Sequence, residues 1–228
     1  MNFSDDDFER FCALVDARRS MRAFSSRPVS TADIEEAFGA AGYAPSNCNT
    51  QPWSVYVVRK EAAKNMQAAL VGSIGQGKMA LDYPYNEHCY AGVYKERQRE
   101  AAKLYFAAAG IERGNAQQRF ASLLRNLEFF GAPQAAFIFM PEWAGVREAC
   151  DVGMFAQNLM LALRAKNIGS CPQTLLGYNA QVVREQLDLD ESHKLLFGIS
   201  FGYFDPAHSQ NTVRTPRAEV KDGLTIVD

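Results

Sequence analysis

The sequence has few of the residues that build metal sites or disulfide frameworks. Its five cysteines are odd in number and form no C-x-x-C motif, and its three histidines are scattered along the chain. A zinc site or a disulfide scaffold is therefore not expected, and the cysteine pattern favours a reducing compartment. Long apolar runs are also missing, since none approaches the roughly 20 residues that a membrane-spanning helix needs.

The sequence also lacks a strong charge of either sign. The formal net charge is -2, so the composition gives no reason to expect a nucleic acid or another polyanion as a partner. The N-terminal segment, residues 1–7, contains three aspartates and no basic residue, whereas a signal peptide starts basic and then turns apolar. We therefore expect a cytoplasmic protein that binds neither membrane nor nucleic acid.

The composition that is present is that of an ordinary globular protein. The chain has 228 residues, of which 47% are hydrophobic and 22% are charged. This length suits one domain with a sizeable core and is short for two, so we predict a single domain over residues 1–228.

Apolar periodicity predicts many helices and few strands. The predicted helices lie near residues 4–18, 31–41, 60–70, 93–109, 117–130, 150–166 and 181–187. The predicted strands lie near 54–58, 135–140 and 194–201, and a β-like stretch covers 224–227. This pattern favours an α+β fold, in which helices cover both faces of one sheet. A doubly wound dinucleotide fold is disfavoured, because no G-x-G-x-x-G follows an early strand.

Residues 71–118 differ from the rest of the chain. Glycines interrupt this segment, and four tyrosines cluster in it at positions 83, 85, 90 and 94. We expect a glycine-rich loop, then the charged helix near 93–109, then a turn. Because loops and lids commonly carry specificity, the segment is predicted to be a lid or substrate-facing insertion.

Basic residues are concentrated at positions 18–22, which read Arg-Arg-Ser-Met-Arg, and a second basic pair, Arg214 and Arg217, lies near the C-terminus. Guanidinium groups match the charge and geometry of phosphate. An isolated cluster of this kind could equally be a solvated helix end that complements the helix dipole. The second pair favours the phosphate interpretation, since arginines from both ends of the chain could converge on one anion.

A polar segment follows at positions 44–53, which read Ala-Pro-Ser-Asn-Cys-Asn-Thr-Gln-Pro-Trp. Proline, serine and asparagine are turn residues, so an ordinary turn before a strand is one interpretation. A turn does not require Asn47, Asn49 and Gln51 to be spaced by two. Their amides carry donors and acceptors, which suit the polar edge of a heterocycle. Together with the arginines, the segment predicts a site for a phosphorylated, ring-containing cofactor.

These motifs resemble the nitroreductase family of FMN enzymes. That family carries an Arg-x-Ser-x-Arg/Lys element, then Pro-Ser-x-x-Asn-x-Gln-Pro-Trp, then a basic residue or pair near the C-terminus, and all three occur here in order. Segments 125–133, 151–154, 171–173 and 202–203 also resemble the 4-nitrobenzoate-reductase-like subgroup. The resemblance implies a three-layer α/β/α sandwich with a mostly antiparallel sheet, assembled as a homodimer with FMN at the subunit interface.

The resemblance also implies where FMN would bind. The phosphate and ribityl chain would contact residues 18–20 and 214–217, and Arg22 would lie at the N1/O2 edge of the flavin. Residues 45–51 would reach the flavin from the other subunit, and residues 172–174 would lie along its ring. The implied cofactor-binding residues are Arg18, Arg19, Ser20, Arg22, Pro45, Ser46, Asn47, Asn49, Gln51, Arg125, Pro172, Gln173, Thr174, Arg214 and Arg217.

One departure from the family concerns the pyrimidine edge of the flavin. Some relatives have a lysine preceded by an asparagine three residues earlier, and this chain has Glu128 and Arg125 at those positions. Arg125 could take over that contact.

The implied activity is that of an FMN-dependent NAD(P)H oxidoreductase that reduces nitroaromatic or quinone-like acceptors by a ping-pong mechanism. The flavin would carry the chemistry, so no catalytic acid or base is assigned to the protein. Three alternatives stay open. The same scaffold could support flavin destruction, dehalogenation or enone reduction, the protein could bind FMN without turnover, or the arginines could bind an anion without a flavin.

Overall fold

An antiparallel sheet lies at the centre of the fold, and its two inner strands are largely buried. The structure, a computed structural model, describes residues 2–75 and 79–227. In these residues the strands are β1 (Ser54–Arg59), β2 (Gln134–Pro141), β3 (Gly169–Gln173) and β4 (His193–Gly202), in the order β1-β2-β4-β3. All three neighbouring pairs are antiparallel. The central strands β2 and β4 are the longest, with 8 and 10 residues.

Seven α-helices accompany the sheet in the described part of the chain. They are α1 (Asp5–Ala17), α2 (Thr31–Ala41), α3 (Glu61–Gly75), α4 (Gly92–Ala108), α5 (Ala116–Leu127), α6 (Val146–Ala165) and α7 (Ala180–Leu187). Side-chain capping fixes the N-terminal ends of α1 and α2. Ser4 and Asp7 form a reciprocal capping box, and the Ser30 hydroxyl accepts from the backbone N–H of Asp33 at 3.0 Å. None of the described helices is long and apolar enough to cross a membrane.

The helices bury two separate apolar cores, one on each face of the sheet. Alternate residues of β2 point to opposite faces, so that Ile138 lies in the core with α2 and α6, whereas Phe137 lies in the core with α3 and α7. Phe155 and Leu159 of α6 are buried in the first core. The predicted α+β fold, with helices on both faces of one sheet, is therefore confirmed.

Two local predictions were wrong, and one strand was missed. Helix α5 ends at Leu127 rather than 130, because Phe129 and Phe130 have left-handed φ angles of 59° and 54°. Strand β3 was not predicted, and it includes Pro172, which cannot donate to a ladder and is tolerated because β3 is an edge strand. Residues 224–227 form no strand, since they pair with no strand in the described part of the chain.

The segment 71–118 is more helical than expected. Its first residues extend α3 to Gly75, α4 covers Gly92–Ala108 and α5 begins at Ala116, so the helix predicted near 93–109 is confirmed. Part of the predicted glycine-rich loop, residues 76–78, lies outside the described residues. The following loop is fixed to the body, because Asp82 forms a nearly buried ion pair with Arg184 and accepts the backbone N–H of Leu195 at 2.7 Å.

Candidate functional site

The segment that carries the first three arginines runs along the edge strand of the sheet. Directly after α1, Ser20 forms a parallel bridge with Ser170 of β3, and the N–H of Met21 donates to the carbonyl of Ser170 at 3.0 Å. Gly169 makes this approach possible. A Cβ atom at that position would lie 2.8 Å from Met21 Cγ and 2.6 Å from Phe204 Cδ1. The sheet edge therefore fixes the arginines at positions 18, 19 and 22.

The second basic pair comes from the other end of the chain to the same place. A cavity of about 510 Å³ is lined by residues from α1, from the segment 18–22, from α6 and from the C-terminal tail. We call it the arginine cavity. Its polar lining residues are Asp16, Arg18, Arg19, Ser20, Arg22, Gln157, Arg214, Thr215 and Arg217. The cavity thus brings together five arginines and Ser20, all of them predicted cofactor-binding residues, across almost 200 residues of chain.

Positive charge in the arginine cavity exceeds negative charge. Among the described lining residues Asp16 is the only carboxylate, and it binds Arg214 at 3.0 Å. Burial, and then the nearby Arg217 charge, lower the pKa of Arg18. Burial likewise lowers the pKa of Arg19, with a further contribution from Arg214. These shifts mean that the cations are partly desolvated and repel one another, and a bound anion would relieve both costs.

An orphaned donor supports the same conclusion. The Nε atom of Arg19 is buried and has no hydrogen-bond partner in the described part of the chain. A buried donor without a partner is costly and calls for a ligand or an ion. The chemistry of the donor set, several guanidiniums with one hydroxyl, fits a phosphomonoester that is close to dianionic at neutral pH.

Arg22 is held by residues that sequence reasoning missed. Its backbone N–H donates to the side-chain oxygen of Asn211 at 2.8 Å, and Asn211 is almost completely buried. The Gln210 amide, in the orientation that satisfies both its ends, donates to the Arg22 carbonyl and accepts from Arg125, each at 3.0 Å. These contacts join positions nearly 190 residues apart, and no local pattern in the sequence could have indicated them.

The structure separates the two positions that depart from the family pattern. Arg125 lies beside Arg22, since its Nη2 atom donates to the Arg22 carbonyl at 3.4 Å. Glu128 instead faces α3, where its carbonyl accepts from the Gln67 amide at 3.2 Å. Of these two residues, Arg125 is therefore the one that lies near Arg22, the residue predicted to contact the pyrimidine edge of the flavin.

The polar loop at 45–51 lies elsewhere on the same protomer. The described lining of the arginine cavity includes none of its residues. Asn49 and Gln51 have left-handed φ angles, and the Gln51 amide donates to the Asn49 side chain at 3.2 Å. The buried carboxylate of Asp151 on α6 accepts the backbone N–H of Asn47 at 3.0 Å. Asp151 thus anchors the loop, a role that sequence reasoning did not assign.

Residues 172–174 form the end of β3 and the start of a short 3-10 turn. Pro172 and Thr174 are exposed, whereas Gln173 is buried and its amide nitrogen donates to the Asn126 carbonyl at 2.7 Å. The Gln173 side chain is therefore used within the protein, and the exposed residues on each side are the ones that a ligand can reach. Burial raises the pKa of the neighbouring Cys171 thiol, which keeps that thiol protonated.

The fold and the arginine cavity agree with the family comparison. Residues 15–203 match the sequence model of the nitroreductase family. The protein therefore belongs to the nitroreductase family, and the resemblance found in its motifs is confirmed.

Individual relatives match almost the whole chain. A nitroreductase, NfnB, from Mycolicibacterium smegmatis is 41% identical over 92% of this chain and 89% of its own. A 4-nitrobenzoate reductase from Pseudomonas putida is 33% identical over 96% of this chain and 95% of its own. The crystal structure of the FMN-dependent nitroreductase NfnB from Mycobacterium smegmatis in complex with NADPH superposes with a TM-score of 0.94. It is 38% identical and covers 97% of this chain and 99% of that one.

Proposed function

We propose that this protein is an FMN-dependent NAD(P)H oxidoreductase that reduces nitroaromatic compounds. The observation that carries the proposal is the convergence of five arginines on one cavity in a member of the nitroreductase family. Relatives with 41% and 33% identity are a nitroreductase and a 4-nitrobenzoate reductase, and a solved relative at 38% identity is FMN-dependent and binds NADPH.

Each part of the site has a proposed role toward FMN. Arg18, Ser20 and Arg217 bind the phosphate, with Arg19 and Arg214 adding positive charge. Arg22 places its charge at the pyrimidine edge, where it favours the reduced, more negative state of the flavin. When bound, FMN supplies the hydride chemistry between NAD(P)H and the acceptor. The protein supplies binding, orientation and charge.

A homodimer would complete the site. The loop at 45–51 lies away from the arginine cavity of its own protomer, so it is available to a cavity on a partner. Apolar surface is left open in the single chain. Phe8 and Phe11 of α1 are 66% and 53% exposed, and Met154 of α6 is 40% exposed. Exposed apolar surface of this extent is typical of an interface between protein chains.

The segment 71–118 is proposed to face the acceptor. Within it, Tyr105 of α4 contacts the Arg22 side chain, so this segment borders the arginine cavity. The five cysteines are all free, which suits the cytoplasm.

The test is the visible spectrum of the purified protein under anaerobic conditions. We expect a yellow protein whose absorbance bleaches with NADPH and recovers when a nitroarene is added. A bound flavin that neither NADH nor NADPH bleaches would indicate an FMN carrier. Bleaching with recovery by a halogenated phenol or an enone, but not by a nitroarene, would indicate another flavin reaction. A protein that stays colourless with added FMN would overturn the cofactor assignment.

A further inference from the structure

We infer that Tyr105 is a positioning residue for Arg22, and that through Arg22 it sets the redox potential of the bound flavin. The inference rests on the proposed function, since it requires FMN in the arginine cavity. Its starting observation is a cation–π contact, in which Arg22 Cζ lies 4.8 Å from the centroid of the Tyr105 ring. The ring of Phe130 is a second aromatic neighbour at 6.0 Å.

The backbone and the side chain of Arg22 are held in different ways. The backbone is fixed at both polar atoms, by Asn211 at the N–H and by Arg125 and Gln210 at the carbonyl. The guanidinium has one long hydrogen bond, to the Ser20 carbonyl at 3.4 Å. Among the described residues no carboxylate forms an ion pair with it. The position of the charged group therefore depends on its aromatic neighbours.

The choice of an aromatic partner has a physical consequence. A carboxylate would hold the guanidinium firmly but would also cancel its charge. The face of a tyrosine ring attracts a cation through its quadrupole and carries no formal charge. The full positive charge of Arg22 thus stays available to the negative charge that the flavin gains on reduction.

The Tyr105 ring is itself held in place. Its hydroxyl forms a hydrogen bond of 2.8 Å with Ser122 of α5, and one turn further along α4 the Ala108 carbonyl accepts from Ser209 at 2.8 Å. Helix α4 buries none of its residues completely, so few contacts define its position. Arg22 is therefore tied to a helix of the segment that we propose to face the acceptor.

The test compares the two-electron midpoint potential of bound FMN in the unaltered protein and in variants. Tyr105→Leu removes the ring, and we expect the ratio of reduced to oxidised flavin at a given potential to fall about tenfold, or ~30 mV. Tyr105→Phe keeps the ring and loses only the hydroxyl, so its ratio should stay within about twofold of the unaltered protein. In the Arg22→Gln background, Tyr105→Leu should have no further effect.

Two results would overturn the inference: a potential unchanged in Tyr105→Leu, or an effect of Tyr105→Leu that persists when Arg22 is already glutamine. Failure of the proposed function looks different, since the unaltered protein would then bind no FMN. In that case a double-mutant cycle on the unfolding equilibrium tests, without the flavin, whether Arg22 and Tyr105 interact. We expect the effects of Arg22→Gln and Tyr105→Leu on the unfolding equilibrium constant to depart from additivity by about threefold. Additive effects would overturn the positioning role.

Discussion

At the scale of single residues, the arginine cavity is a compromise between stability and binding. Burial and the Arg217 charge both disfavour the cationic form of Arg18 in the protein without ligand. The same charge is favourable when an anion occupies the cavity. A substitution at this position should therefore change stability and affinity in opposite directions.

Arg18→Gln should raise the dissociation constant of FMN by about 10- to 100-fold, since charge-assisted hydrogen bonds contribute ~1.5–3 kcal/mol. The stability of the protein without FMN should stay the same or increase. Fluorescence titration with FMN and urea unfolding measure the two effects. The matched control is Arg113→Gln, an exposed arginine between α4 and α5. An Arg18 variant that lost stability but kept its affinity would contradict the assigned role.

Gly169 is a second residue whose role is argued from its contacts. Gly169→Ala should destabilise the protein by about 1–3 kcal/mol, because the added methyl group collides with Met21 and Phe204. In Gly72→Ala the new methyl group meets nothing within 4 Å, and a helix interior gains about 0.5–1 kcal/mol from this change. Chemical denaturation measures the free energy of unfolding of both variants, which should fall in Gly169→Ala and rise in Gly72→Ala. Equal effects would show that the segment 18–22 does not depend on close approach to β3.

At the scale of elements, an ion-pair network joins α2 to the end of α6. Lys166 binds Asp33 at 2.8 Å and Glu36 at 2.5 Å. The hydrogen bond from Lys166, followed by that from Ser30, lowers the pKa of Asp33 below its ordinary value of 3.8. A carboxyl whose pKa is lowered in the folded state contributes stability above its unfolded pKa, and this contribution disappears as the pH falls through the folded pKa.

Asp33→Asn should therefore make the urea midpoint less sensitive to acidification below pH 3.8, because the variant has no carboxylate to protonate there. Lys166→Gln removes the same contact from the side of α6, and it should also make the urea midpoint less dependent on pH in this range. Urea unfolding at a series of pH values measures both. If the two variants kept the full acid sensitivity of the unaltered protein, the network would contribute nothing to the packing of α2 on α6.

The elements also show which local signals are reliable. Capping residues and apolar periodicity correctly located α1, α2 and the two central strands. Strand β3 escaped prediction because its glycine, serine and proline gain strand structure only from pairing with β4. The end of α5 was missed because Phe129 and Phe130 are buried in left-handed conformations that tertiary packing imposes.

At the scale of the whole molecule, the proposed homodimer rests on apolar side chains that the single chain leaves exposed. We expect a species of twice the chain mass of 25.3 kDa in sedimentation velocity experiments. Met154→Arg places a charge on the exposed face of α6 and should shift the protein toward the monomer. Ala62→Arg, an exposed position on α3 across the sheet, is the control.

The same variant tests whether the loop at 45–51 serves the partner's cavity. If FMN binds between subunits, Met154→Arg should weaken FMN binding together with dimerisation, whereas Ala62→Arg should change neither. A monomer with unchanged FMN affinity would mean that one chain holds the cofactor alone.

The sequence by itself determined the family and predicted the chemistry of the site. The arginine cluster, the polar loop and the C-terminal pair are short motifs, and their residue types predict the class of ligand without knowledge of the fold. Only the tertiary structure decided which residues support them. Asn211 and Gln210 reach Arg22, Asp151 reaches the loop, and Tyr105 reaches the Arg22 guanidinium. Such contacts join distant parts of the chain, and local patterns carry no information about them.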